Sequence, residues 1–170
     1  VDISDVLCFG ESTGEITVTV NGGSVNVNNQ YTYSWTPNIG NATTNYDFVT
    51  SIGTGTYSDL DTGIYQVVVT DVNNCTATSN MVYVAQPTNP LSIFTDSTDK
   101  TCLTEGSATA YVLGGTPIYT YLWTPGGQTT STATNLTPNT SYTIVVTDAN
   151  GCTITDQTHI NGHMNVFLPN

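Results

Sequence analysis

Residues 31–37 read YTYSWTP and residues 119–125 read YTYLWTP. What surrounds the two heptapeptides repeats in the same order. Before each comes a cysteine, an alternating stretch and a Gly-Gly pair: Cys8 and GEITVTVNGG ending at Gly23, then Cys102 and SATAYVLGG ending at Gly115. After each comes VVTD, at 68–71 and 145–148, followed by VNNCTAT around Cys75 and ANGCTIT around Cys152. A chain that writes its structural signals twice in one order folds as two copies of one unit. The first copy is longer because of SVNVNNQ and NIGNATTNYDFVTSIGTGTYSD, turn-rich stretches of the kind that tolerate added residues.

The cut falls in AQPTNP, where Pro87 and Pro90 interrupt strand pairing. This divides the chain into residues 1–87, residues 88–162 and a short exit segment, 163–170. Modules this small bury a modest fraction of their surface and often need extra constraints. Two cysteines per copy at corresponding places favour pairing inside each copy, Cys8 with Cys75 and Cys102 with Cys152. Each such bond would contribute up to about 4 kcal/mol in the chain-entropy view. Free thiols or a zinc site are the alternatives, and the absence of any C-x-x-C spacing counts against zinc.

Period-two runs dominate the first copy: EITVTV, YTYSW, IYQVVVTD and TSNMVYVA. β-Branched and aromatic residues fill them, and Gly, Asn, Asp or Pro separate them, so the chain reads as short antiparallel strands with almost no helix. In DLDTGIYQVVV, a leucine, Gly63 and then Tyr65 opening a strand resemble the tyrosine corner of immunoglobulin-like sandwiches. In the second copy NLTPNTSYTIVV departs from that spacing, which leaves the corner at Tyr142 less sharply defined. Trp35 and Trp123 fit the buried indole of a central strand, whose N–H needs an acceptor. TDVNNC and TDANGC are hairpin chemistry, because Asn, Asp and Gly tolerate positive φ. The expected fold is all-β: two tandem immunoglobulin-like antiparallel β-sandwich modules anchored by Trp35, Trp123, Tyr65 and Tyr142.

Taken together, Cys-x-Gly, an alternating strand, Gly-Gly, Tyr-x-Tyr-x-Trp and Leu-x-x-Gly-x-Tyr-x-Val-x-Val-Thr-Asp-x-Asn-Gly-Cys resemble the SprB repeat of Bacteroidota surface proteins. Thr104 stands where Gly10 stands in the first copy, and Asn74 replaces the glycine of the hairpin. The closing NVFLPN resembles the opening of the gliding-motility-associated C-terminal domain used as a sorting signal for type nine secretion. The resemblance implies an extracellular, cell-surface location, export by the type nine secretion machinery, and a role in gliding adhesion or surface filaments.

Thirteen acidic residues against one basic residue, Lys100, give a formal charge of −12. Nothing in such a chain neutralises phosphates, so nucleic acid and anionic membrane surfaces are poor partners. No G-x-S-x-G, P-loop or H-E-x-x-H is present, and the reading is non-enzymatic. His159 and His163 are four apart, but Asn161-Gly162 between them reads as a turn and not a helix. No cofactor is expected. Calcium is the best metal candidate, through Asp71 with Asn73, Asp148 with Asn150, and Asp96 with Asp99, although Asp-x-Asn is also explained by turn formation alone. Tyr46 and Tyr57, in the first copy's insertion, are candidates for ligand contact. Ser97 in Asp-Ser-Thr resembles an O-glycosylation acceptor of exported Bacteroidota proteins.

The functional expectation is a structural and adhesive repeat region of a large secreted surface protein. Its partners would be neighbouring repeats, the secretion machinery and surface polysaccharide. A glycan-binding module and an accessory domain of a secreted hydrolase are the alternatives.

Overall fold

The computed structural model describes residues 1–26, 31–38 and 54–162. The chain forms two compact units, Val1–Gln86 and Pro87–Asn170. Strands and turns make up the described residues, with no helix among them.

Unit 1 contains β1 (Asp2–Ser4), β2 (Gly14–Thr19), β3 (Thr32–Asn38), β4 (Thr54–Leu60), β5 (Gly63–Thr70), β6 (Thr76–Thr78) and β7 (Val82–Val84). One sheet runs β1-β2-β4, and the other runs β3-β5-β6 with β7 also on β5. Unit 2 contains β8 (Ser92–Thr98), β9 (Gly106–Leu113), β10 (Thr120–Thr124), β11 (Thr132–Leu136), β12 (Thr140–Thr147) and β13 (Thr153–Ile160). Its sheets run β8-β9-β11 and β10-β12-β13. Each unit therefore places its first, second and fourth strands in one layer and its third, fifth and last in the other. This is the A-B-E and C-F-G partition of the immunoglobulin sandwich, and it was expected from the tyrosine corner and the strand spacing.

The cores follow the alternation. In unit 1, Ile16 and Val18 from one sheet face Tyr33, Trp35, Val67 and Val69 from the other. In unit 2, Ala108, Ala110 and Ala133 face Trp123, Ile144 and Val146. Trp35 is 2% exposed and Trp123 is 0% exposed, each in the third strand of its unit. Small alanines opposite Trp123 and larger aliphatic residues opposite Trp35 are two solutions to filling one space. Gly14 and Gly106 open the second strands where nothing larger fits. A Cβ on Gly14 would stand 2.6 Å from Val84 Cγ1, and one on Gly106 would stand 2.8 Å from Ile160 Cγ2.

The stretch 78–85, expected as one strand, is divided into β6 and β7. Val68 pairs with Thr78 and Tyr65 pairs with Val82, so the later strand carries one residue more than β5 across the gap. Ser79 fills the break: its backbone N–H donates to the Val67 carbonyl at 2.9 Å, and its Oγ accepts from the Val67 N–H at 3.1 Å. In unit 2 the counterpart, β13, pairs with β12 without interruption.

The tyrosine corner exists in both units but with opposite polarity. Tyr65 Oη donates to the Asp61 carbonyl at 2.9 Å. Tyr142 Oη accepts from the Thr137 backbone N–H at 2.9 Å. Both rings are buried. Burial pushes the Tyr65 hydroxyl pKa up, and the neighbouring Asp61 adds to the effect.

Candidate functional site

Each unit builds the same turn at the end of its fifth strand, and the aspartate of VVTD organises it. Asp71 Oδ1 accepts from the backbone N–H groups of Asn73 at 2.9 Å and Cys75 at 2.8 Å, and Oδ2 accepts from Ser24 N–H at 3.1 Å. Asp148 repeats this with Asn150 at 2.9 Å, Cys152 at 2.9 Å and Thr116 at 2.8 Å. The two turns close identically, Asp71 N–H on the Cys75 carbonyl and Asp148 N–H on the Cys152 carbonyl, each at 2.9 Å. Positive φ falls on Asn74 in one and Gly151 in the other, which is why asparagine can replace glycine there. Next to each turn lies the Gly-Gly pair, fastened by a tyrosine: Tyr31 Oη donates to the Gly22 carbonyl and Tyr119 Oη to the Gly114 carbonyl, both at 2.6 Å.

Both oxygens of Asp71 and of Asp148 accept from backbone N–H donors, so turn formation by itself accounts for the two carboxylates. The backbone donors of Ser24 and Cys75 hold the Asp71 carboxyl below its ordinary pKa of 3.8. Asp99 is likewise engaged, accepting from Asn161 N–H at 2.8 Å and from its Nδ2 on both oxygens. Asp96 lies exposed in β8, and Ser97 beside it is half-buried and paired with Ala108 in mid-strand. Among the described residues no three His, Cys, Asp or Glu side chains gather where a metal ion could be held. His159 is exposed, with Nδ1 3.0 Å from Ser141 Oγ. His163 and Tyr46 lie outside the described residues.

Two expectations are overturned. Tyr57 is not a free ligand contact. It is 7% exposed, opposite Ile16 in the register, with its ring 5.2 Å from that of Trp35 and 6.2 Å from that of Tyr65. Its segment is strand β4, whose alternation buries Gly55 and Tyr57, and a register shift beside positive-φ Asp59 then turns Leu60 inward as well.

The cysteine pairing is the second correction. Cys75 and Cys102 are free and exposed, whereas Cys8 and Cys152 are disulfide-bonded, so neither copy closes on itself. The reason is direction. The second and fifth strands of each unit run the same way, so a residue before the second and one after the fifth lie at opposite ends of the sandwich. The loop of Cys8 sits beside Gln86, where Gly10 N–H donates to Gln86 Oε1, while Cys75 sits beside Ser24 at the far end of β2. The loop of Cys102 is at the Lys100–Asn161 end, and Cys152 is beside Thr116. A strand of six to eight residues separates the ends by roughly 20 Å or more. A disulfide needs Cα atoms within about 7 Å.

At this same end the two units differ. In unit 2 the residues before β8 lie over the Gly-Gly pair: Gly115 N–H donates to the Asn89 carbonyl at 3.0 Å. A Cβ on Gly114 would be 2.0 Å from the Pro90 carbonyl oxygen, and one on Gly115 would be 3.0 Å from Leu91 Cδ1. Asp148 is consequently 5% exposed. In unit 1, Gly22, Gly23 and Cys75 are exposed, and a cavity of about 130 Å³ is lined by Gly22, Gly23, Tyr31, Val69, Asp71 and Cys75, among others.

Comparison with known proteins follows the repeat. The SprB repeat family matches residues 1–39 and 95–128, the opening half of each unit. Part of each copy is thus similar to the SprB repeat. A search of curated proteins finds no match. Among solved structures, the chain is similar to the C-terminal 282-residue fragment of intimin, crystallised with the intimin-binding domain of the translocated intimin receptor. The identity is 16% and the TM-score 0.49, over 95% of this chain and 64% of that one. It is also similar to the amphioxus IgVJ-C2 molecule, at 14% identity and TM-score 0.35, over 89% of this chain and 97% of that one. The chain therefore spans just under two thirds of the intimin fragment. The sandwich assignment rests on strand order and pairing within each unit.

Proposed function

We propose that the chain is a non-catalytic repeat region of a large secreted cell-surface protein, acting as a stiff, adhesive spacer. The observation that carries this reading is the clamp joining the first and last strands, built identically in both units. Val6 N–H donates to the Ala85 carbonyl at 2.9 Å, and Lys100 N–H donates to the Asn161 carbonyl at 3.0 Å. An aspartate locks each: Asp5 Oδ1 accepts from Ala85 N–H at 2.9 Å, and Asp99 Oδ1 from Asn161 N–H at 2.8 Å. In unit 2 the bridge is parallel, Lys100 with Gly162. Tension on the two ends of such a unit loads these bonds along the strands, so they must fail together instead of one at a time. The SprB-type repeat sequence supports the same reading and, with it, export across the outer membrane and a role in surface adhesion.

Single-molecule extension of the 170-residue chain tests it. With the disulfide reduced, two discrete unfolding events are expected, with Asp5→Ala and Asp99→Ala each lowering the force of one event. Smooth extension with no resolved events would remove the spacer role. Antibody labelling of intact producing cells tests location, and signal only after permeabilisation would contradict it.

A glycan-binding role has one observation in its favour. Phe94 and Tyr111 stack across β8 and β9 with ring centroids 4.7 Å apart, and they are 55% and 46% exposed. An exposed aromatic surface of this kind suits the apolar face of a sugar. Binding on a glycan array that Tyr111→Ala abolishes is the outcome this role requires.

A further inference from the structure

Phe94 and Tyr111 stand directly opposite each other on β8 and β9, and their rings stack at 4.7 Å with 12° between their planes. That separation matches the roughly 4.7–4.9 Å between paired strands, so the rings stand upright on the sheet and stack in the direction of strand pairing. β9 lies between β8 and β11. Phe94 therefore covers one face of the Tyr111 ring, and the other face turns toward β11. Tyr111 is still 46% exposed, which leaves that second face open to solvent. A cross-strand aromatic pair stabilises a sheet, but that accounts for the faces in contact and not for the open one. On the same outer face, Thr109 Oγ1 and Thr132 Oγ1 lie 3.0 Å apart. One bond between two hydroxyls uses one of their two hydrogens, so the pair keeps a donor and lone pairs for a ligand.

Unit 1 shows what the fold itself needs at these places. Gly14 and Gly106 open the second strands, so Thr17 corresponds to Thr109 and Thr19 to Tyr111. The threonine pair recurs, with Thr17 Oγ1 3.4 Å from Thr56 Oγ1. The aromatic does not: exposed Thr19 holds its place, and β2 pairs with β4 through it. The core gives no reason for Tyr111 either, because Ala108 and Ala110, on the other face of β9, supply it.

We propose that the open face of Tyr111, with the Thr109 and Thr132 hydroxyls beside it, binds one ring of a neutral glycan. The pyranose lays its C–H face on the phenol, and its equatorial hydroxyls bond to the threonines. An all-equatorial ring, that of a β-linked glucan, fits best because it presents only C–H groups on its faces. Charge selects the neutral class. The chain has a single basic residue, Lys100, whose ammonium is held by Glu105, and Asp96 is exposed on this same face opposite Thr109. A carboxylated or sulfated sugar meets no counter-charge here. Unit 1, with the hydroxyl pair but no platform, does not bind. The proposal rests on the glycan-binding reading and adds to it the ring face, the polar partners and the class of sugar.

Nuclear magnetic resonance titration of the full chain tests it, with cellohexaose as the neutral ligand, hexagalacturonate as the anionic one and hexaarginine as a cationic peptide. Cellohexaose should shift the Thr109, Tyr111 and Thr132 amides in a saturable way and leave Thr17 and Thr19 unmoved. Tyr111→Thr, which installs the residue unit 1 carries there, should weaken binding by about tenfold or more, as for a lost aromatic contact. Tyr111→Phe should retain it, and Thr132→Val should weaken it by a smaller factor. Shifts with hexagalacturonate and none with cellohexaose would overturn the neutral class and leave the glycan-binding reading standing. Cellohexaose binding untouched by Tyr111→Thr, or shifts with hexaarginine alone, would overturn the site. Full affinity in Thr132→Val would overturn the placing of the sugar on the β11 side of the ring.

Discussion

The turn at Asp71 and the turn at Asp148 share their hydrogen bonds atom for atom, yet they stand in different surroundings. Over the second lie Asn89, Pro90 and Leu91; the first meets solvent. The cradle therefore comes from local sequence, Gly-Gly and Tyr on one side and Asp-x-Asn on the other, and needs no cover to form. What the cover changes is the electrostatic weight of the carboxylate, because charge-assisted bonds strengthen as water is removed.

That difference sets the expected mutational effects. Asp148→Ala would leave three backbone donors without an acceptor at a buried site, a loss of about 3 kcal/mol or more in chemical denaturation of unit 2. Asp71→Ala should cost distinctly less, because water can reach the Ser24, Asn73 and Cys75 donors. Equal losses would show that cover contributes nothing. Leu91→Ala removes part of the cover itself and should cost about 1–2 kcal/mol, for a half-buried leucine. It should also speed amide exchange at Gly115 and Thr116, with no effect on Gly23. The tyrosine corners offer a smaller contrast. Tyr142→Phe strands the Thr137 N–H and Tyr65→Phe strands the Asp61 carbonyl, each at about 1 kcal/mol, with the N–H the costlier loss because a carbonyl finds partners more easily.

Acid probes the Asp71 turn without mutation. Asp71 has a folded pKa below its ordinary 3.8, so between the two values the unfolded chain binds more protons than the folded one. Its contribution is fully present above the unfolded value and is lost as pH falls through the folded one. Protection of the Asn73 and Cys75 amides, taken relative to the unstructured chain at the same pH, should therefore fall only below about pH 4, and Asp71→Asn should remove that dependence. A fall in protection already near neutral pH would contradict the assignment.

Much of this architecture could be read from the residues. Period-two runs located the core strands, the repeated Trp and Tyr marked their buried faces, and Asp-x-Asn before cysteine marked the turns. The tyrosine corner was also visible, although which partner donates depends on whether a carbonyl or an N–H of the loop comes within reach. Strand β4 escaped because its inward residues are Gly55 and Tyr57 followed, after a register shift, by Leu60, which leaves no regular period-two run of apolar residues. The cover over Gly114 and Gly115 escaped because contacts between a linker and a turn leave no periodic trace. The cysteine pairing was misread for a reason that strand order could have exposed. Two corresponding cysteines per copy suggest a staple, but parallel second and fifth strands place them at opposite ends.

Disulfide mapping of the untreated chain, with free thiols alkylated before proteolysis, tests the central claim most directly. If each half is a sandwich with its cysteines at opposite ends, Cys75 and Cys102 are recovered alkylated, and no peptide joins Cys8 to Cys75 or Cys102 to Cys152. Recovery of either of those joined peptides as the main species would contradict the strand arrangement on which every comparison between the two units depends.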